Sequence, residues 1–96
     1  MTREEILAAA KQCVCGDRDQ DYGSPETSFN MIAALQEPYL RQKCVNPDGD
    51  VFIIGADVGA MMALFKIARI AAGHGKADNW IDLAGYAACG GELEGV

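Results

Sequence analysis

Residues 56–72, Ala-Asp-Val-Gly-Ala-Met-Met-Ala-Leu-Phe-Lys-Ile-Ala-Arg-Ile-Ala-Ala, place apolar side chains on nearly every side of a helical wheel. A helix of that kind must be covered around most of its circumference. In a chain of 96 residues this leaves two locations, the centre of a helical bundle or an interface between subunits. One domain, residues 1–96, is all that such a length supports, and it buries roughly 60–65% of its unfolded surface, close to the size at which partner chains help. Half of the residues are hydrophobic but only 7% are aromatic, so the core is built from Ala, Ile, Leu, Val and Met, and small residues favour close-packed helices. The expectation is an all-α fold, a compact bundle of about four helices that associates as a homo-oligomer.

The other elements follow from their punctuation. Thr2 with Glu5 three residues later is a capping-box pattern, and Ile6, Ala9, Ala10, Cys13 and Val14 then recur at helical spacing until Gly16. Ser24-Pro25-Glu26 restarts a helix: Ser suits the N-cap, Pro the first turn, and Glu the positive end of the dipole. Phe29, Ile32, Ala33, Leu35, Tyr39 and Leu40 are its expected buried side, with a bend or local break at Pro38. Asn46-Pro47-Asp48-Gly49 is a turn, and Val51-Phe52-Ile53-Ile54, which has no second run to pair with, reads as an extended lead-in. After the central helix, Gly73-His74-Gly75-Lys76 turns the chain. Asp78 or Asn79 is expected to cap a last helix running to about Gly90, where Ala84, Gly85, Ala87 and Ala88 permit close approach to a neighbour.

The charge balance excludes some functions. Eight basic against 14 acidic residues give a formal −6, with no Lys/Arg run to displace counterions, so direct grip on nucleic acid or anionic membrane is not expected. No stretch reaches the ~18 apolar residues of a membrane span, and Met1-Thr2-Arg3-Glu4-Glu5 does not open a signal peptide, so a cytoplasmic chain is expected. The cysteines at 13, 15, 44 and 89 contain a C-x-C rather than paired C-x-x-C motifs, and the single histidine, His74, has no Cys or His within five residues. Free thiols acting as small buried hydrophobes fit better than zinc or disulfides.

Several residues are candidates for chemistry. Lys66 and Arg69 lie on one face of the central helix in apolar surroundings and therefore need acidic partners; Asp78 and Asp82, four apart on the last helix, are the best placed. That set can be a structural ion-pair network, a phosphate site using Lys66 and Arg69, or a Mg²⁺ site using Asp78 and Asp82. The Asp17-to-Gly23 loop alternates acids but puts Gly at position seven and Ser28 at position twelve of a calcium-loop frame, which does not match. Arg18 and Tyr22 in that loop, with the free amides after Ser24, form a candidate anion site at a helix start, against the alternative of a solvated turn. His74 can titrate near neutrality but has no nucleophile placed beside it, so a helix-end contact is the plainer reading. Trp80 either stacks on a ligand base or fills space between helices.

Taken together, Asp21-Tyr22-Gly23, Pro25-Glu26, Phe29, Asp57-Val58, Met61-Met62, Lys66-Ile67-Ala68-Arg69 and Asp78-Asn79-Trp80-Ile81-Asp82-Leu83-Ala84-Gly85-Tyr86-Ala87-Ala88 resemble a family of small helical proteins of unknown function found in phages and prophages. The likeness spans roughly residues 18 to 92 and implies a phage or prophage origin without a settled activity. The chain is also similar, more weakly, to the MazG-like nucleoside triphosphate pyrophosphohydrolases. Those enzymes carry E-x-x-E on one helix and E-x-x-D on a later one to bind Mg²⁺; here Glu26 is followed by Phe29, and Asp78 and Asp82 are four apart. The resulting expectation is an accessory protein that acts by binding, with Arg18, Tyr22, Lys66, Arg69, His74 and Trp80 as ligand contacts and no cofactor. It would sequester a phosphate-bearing nucleotide or block a host defence protein in the host cytoplasm. The alternative is a Mg²⁺-dependent pyrophosphohydrolase with Asp78 and Asp82 on the metal.

Overall fold

A computed structural model describes residues 1–17, 22–73 and 75–96. Arg18 and His74, both candidate ligand contacts, lie outside the described residues. Four α-helices account for most of the rest, and no strand ladder forms among them.

Helix α1, Arg3–Gln12, starts where the capping pattern places it: Thr2 Oγ1 accepts from the Glu5 N–H at 3.2 Å and donates to Glu5 Oε1 at 3.1 Å. Instead of stopping at a glycine cap it widens into a π-helical turn, Cys13–Asp17. Helix α2, Pro25–Lys43, has Pro25 in its first turn, and the Ser24 side chain accepts from Thr27 N–H at 3.4 Å. It runs through Pro38 as one helix, so of the expected bend or local break the break does not occur. Pro38 faces solvent, where its orphaned carbonyl partner can be hydrated, and tertiary bonds on both sides secure the helix: Gln36 donates to the Met61 carbonyl, and Tyr39 and Lys43 bond Asp57.

Between α2 and the central helix, Asn46 Oδ1 accepts from the N–H groups of Asp48 and Asp50, closing the predicted turn. An isolated antiparallel bridge joins Val45 to Val51, and residues 52–54 run extended into helix α3, Gly55–Ala71. Helix α4, Ala77–Glu94, begins one residue ahead of Asp78 with Lys76 at the N-cap and continues past Gly90. Asn79 is no cap; it is buried one position beyond Asp78.

The most extensive helix packing is α3 on α4, followed by α2 on α3. Two glycines set the α3–α4 separation. A Cβ on Gly59 would stand 2.9 Å from the Gly90 Cα and 3.1 Å from the Tyr86 carbonyl, so these helices meet backbone to backbone. Gly85, expected to serve that purpose, has open space around it.

Burial is sparse. Among the described residues only Cys44 and Ala68 are buried apolar side chains, while Asp57, Arg69 and Asn79 are buried polar ones. Phe29, expected inside, is 63% exposed, and neither α1 nor α2 contains a buried residue. The thiols are free as expected, yet Cys13, Cys15 and Cys89 are exposed and only Cys44 is buried. The radius of gyration is 15.8 Å, against about 12.5 Å for a globular chain of this length.

Candidate functional site

The third and fourth turns of α3 carry Phe65, Lys66 and Arg69 toward different neighbours. Arg69 is 8% exposed, and its guanidinium carbon lies 3.9 Å from the centre of the Tyr22 ring and 4.8 Å from that of Phe65. Guanidinium groups favour aromatic faces because they are planar and weakly hydrated, so stacking lowers the cost of removing the charge from water. Lys76, at the start of α4, sits 5.8 Å from the same Tyr22 ring. Tyr22 is thus flanked by cations from both ends of the α3–α4 turn.

Two pockets meet at this pair. The smaller, about 260 Å³, lies between the C-terminal end of α1 and the N-terminus of α2, walled by Val14, Tyr22, Ser28, Phe29 and Arg69 among others. The larger, about 510 Å³, is bounded by Tyr22, Thr27, Met31, Ile32, Ala68 and Arg69. Tyr22, Gly23, Ser28 and Arg69 belong to both. The first turn of α2, with its amides and the positive end of its dipole, therefore forms part of the wall beside a stacked guanidinium. Tyr22 and this helix start are expected together as an anion site, whereas Arg69 is expected beside Lys66 and the acids of α4; the fold brings Arg69 to Tyr22 instead.

Lys66 and Trp80 go elsewhere. Lys66 Nζ pairs with Asp82 Oδ2 at 2.9 Å, one of the contacts anticipated between the two helices. Trp80 is 59% exposed and lines neither pocket. Asp78 is exposed in the first turn of α4, and among the described residues no group of three or more His, Cys, Asp or Glu side chains converges as a metal cage would.

A second polar cluster was not anticipated. Asp57, 1% exposed, accepts from Tyr39 Oη at 2.6 Å, from the Ile54 N–H at 3.0 Å and from Lys43 Nζ at 3.3 Å. The Ile54 amide bond, then the Tyr39 hydroxyl, hold its pKa down to about 2, and burial opposes them. The same bond from the other side, reinforced by burial, pushes Tyr39 up to about 12. Burial also raises the Cys44 thiol. With its acceptor sites engaged, Asp57 ties the end of α2 to the start of α3. Its signal in the sequence is a lone acid at the third helical position of an otherwise apolar segment, with Tyr39 and Lys43 one turn apart on the preceding helix.

The family described as Domain of unknown function (DUF6378) matches residues 5–94. The chain belongs to this family. That match takes in most of α1, the other three helices and both clusters. The chain is 36% identical over 86 residues to the Gene 55 protein of Mycobacterium phage D29, covering 90% of this chain and 51% of that protein. With the Gene 55 protein of Mycobacterium phage L5 it shares 37% over 82 residues, 85% of this chain and 47% of the relative. The chain thus spans about half the length of the curated relatives it matches. No solved structure matches it. These two relatives are phage proteins, as the resemblance implied, and no helix among the described residues is long and apolar enough to cross a membrane.

Proposed function

We propose that this DUF6378 domain is a phage-type accessory module that binds a phosphate-bearing nucleotide at Tyr22 and Arg69, sequestering it in the host cytoplasm. The observation that carries this reading is Arg69: a cation more than nine-tenths buried, stacked on Tyr22, in the wall shared by two pockets beside the first turn of α2. A guanidinium and a helix N-terminus both favour phosphate oxygens, and the aromatic and aliphatic walls suit a base or sugar face. The larger pocket, at about 510 Å³, falls in the range of small-molecule sites.

A Mg²⁺-dependent pyrophosphohydrolase is the competing reading. It requires Asp78 and Asp82 to hold the metal, whereas Asp82 is engaged by Lys66 and two carboxylates would need substrate phosphates to complete the shell. A thermal-shift panel of nucleoside triphosphates, cyclic dinucleotides and inorganic pyrophosphate separates the two. Binding predicts a shift that persists in a chelator, falls in Tyr22→Ala, and returns the nucleotide intact after denaturation. Metal-dependent release of pyrophosphate that vanishes in Asp82→Asn would establish the enzyme instead, and no shift with any member of the panel would transfer the weight to a host-protein partner.

A further inference from the structure

The accessible surface of the chain is 6874 Å², whereas a folded monomer of 10.2 kDa exposes about 5,300 Å². The surplus, about 1,600 Å², exceeds the ~800 Å² that each partner buries in a standard protein interface. Part of it lies on the N-terminal helices, and further exposed apolar side chains stand at Phe52, Ile54, Trp80 and Ile81. Helix α1 has ten residues and none is buried. Isolated helices shorter than ~12–15 residues are marginal in water, so α1 requires a tertiary partner. The same chain meets it chiefly at its C-terminal end, where Ala10, Cys13 and Val14 line the small pocket with Phe29. From Phe29 an apolar groove continues along α2 past Ile32 and Ala33. Leu7, on the same face of α1 as Ala10 and Val14, is 66% exposed, and Phe29, which shares their pocket, is 63% exposed, so both helices present uncovered apolar side chains around it.

We infer that a second copy of this chain covers the face formed by α1 and the N-terminal half of α2, in a two-fold dimer that closes the outer wall of the Tyr22–Arg69 pocket. The amount of surface is that of an obligate interface, and a two-fold arrangement supplies each copy with the cover the other lacks. Phe29 and Val14 belong both to the uncovered face and to the pocket wall, so in the dimer the pocket is bounded by two chains. That last clause rests on the phosphate-binding reading; the interface does not.

Sedimentation velocity of the whole chain at micromolar concentration, without ligand, tests it. The wild type should sediment at twice the chain mass. Leu7→Asp and Phe29→Asp should each sediment as monomers, while Phe52→Asp, which alters an exposed side chain outside this face, should remain dimeric. Hydrogen exchange on the unmodified chain supplies a readout that no folding defect of a variant can imitate: α1 amides should be protected, and protection should fall on dilution below the dissociation constant. A wild-type monomer throughout, or a dimer that survives both face variants, overturns the proposal. A dimer that loses to Leu7→Asp yet shows no thermal shift with pyrophosphate or any nucleotide upholds the interface and sinks the phosphate reading, so the two failures are distinct.

Discussion

At the scale of single residues, Asp57 decides how stability depends on acidity. Its folded pKa, about 2, lies below the ordinary carboxylate value, so its contribution is complete above the unfolded pKa of about 4 and is lost as the pH falls through the folded value. The melting temperature should therefore drop between about pH 4 and pH 2, and Asp57→Asn should flatten that part of the profile while melting lower at neutral pH. Tyr39 works in the opposite direction. Its folded pKa, about 12, stands above the ordinary phenol, so its share of stability is present below about pH 10 and lost as pH rises toward 12; Tyr39→Phe should remove that alkaline loss. The thiols give an independent check. Cys15 and Cys89 are exposed and should react with a disulfide reagent in the native protein, whereas Cys44, buried and with its thiolate disfavoured, should react only on unfolding.

At the scale of helices, the contact between α3 and α4 depends on an absent side chain. Gly59→Ala would drive a Cβ to 2.9 Å from the Gly90 backbone, which cannot swing aside as a long side chain would. Over-packing of this kind costs about 1–3 kcal/mol, more than the ~1 kcal/mol alanine gains in helix propensity, so denaturant unfolding should show a net loss. Gly85→Ala on α4 meets no atom within 4 Å and should stabilise by about 0.5–1 kcal/mol. The pair discriminates packing from propensity, because the substitution is identical. The Lys66–Asp82 pair joins the same two helices, but the Asp82 side chain is 46% exposed and water screens it. Asp82→Asn should cost less than about 1 kcal/mol, leaving a folded protein in which loss of any hydrolytic activity is informative.

For the whole molecule, the uneven burial links stability to association. The α2–α4 unit carries the buried residues, while α1 adds apolar surface without a matching cover. In a dimer of the proposed kind, the melting temperature should rise with protein concentration, since folding and association are then one equilibrium. A pocket shared by two chains would make ligand uptake concentration-dependent as well.

Local chemistry was readable from the residues alone. The Thr2 and Ser24 caps, the Asn46 turn and the central apolar helix rest on interactions within a few positions of each other, and each forms where the pattern puts it. The pairing of Lys66 with Asp82 also followed, because two buried-looking cations on one helix face demand an acid from the next. What depended on tertiary structure was everything with a long separation in sequence. Apolar periodicity marks a face that wants cover but does not name the cover, so Phe29 stands exposed where burial was expected, and no residue of α1 is buried. Small residues permit close approach at several positions, and only the crossing of the helices selects Gly59 and Gly90 over Gly85. Tyr22 and Arg69, 47 positions apart, stack because α2 is laid along α3, a choice made by the sum of the packing and by no local signal in either segment.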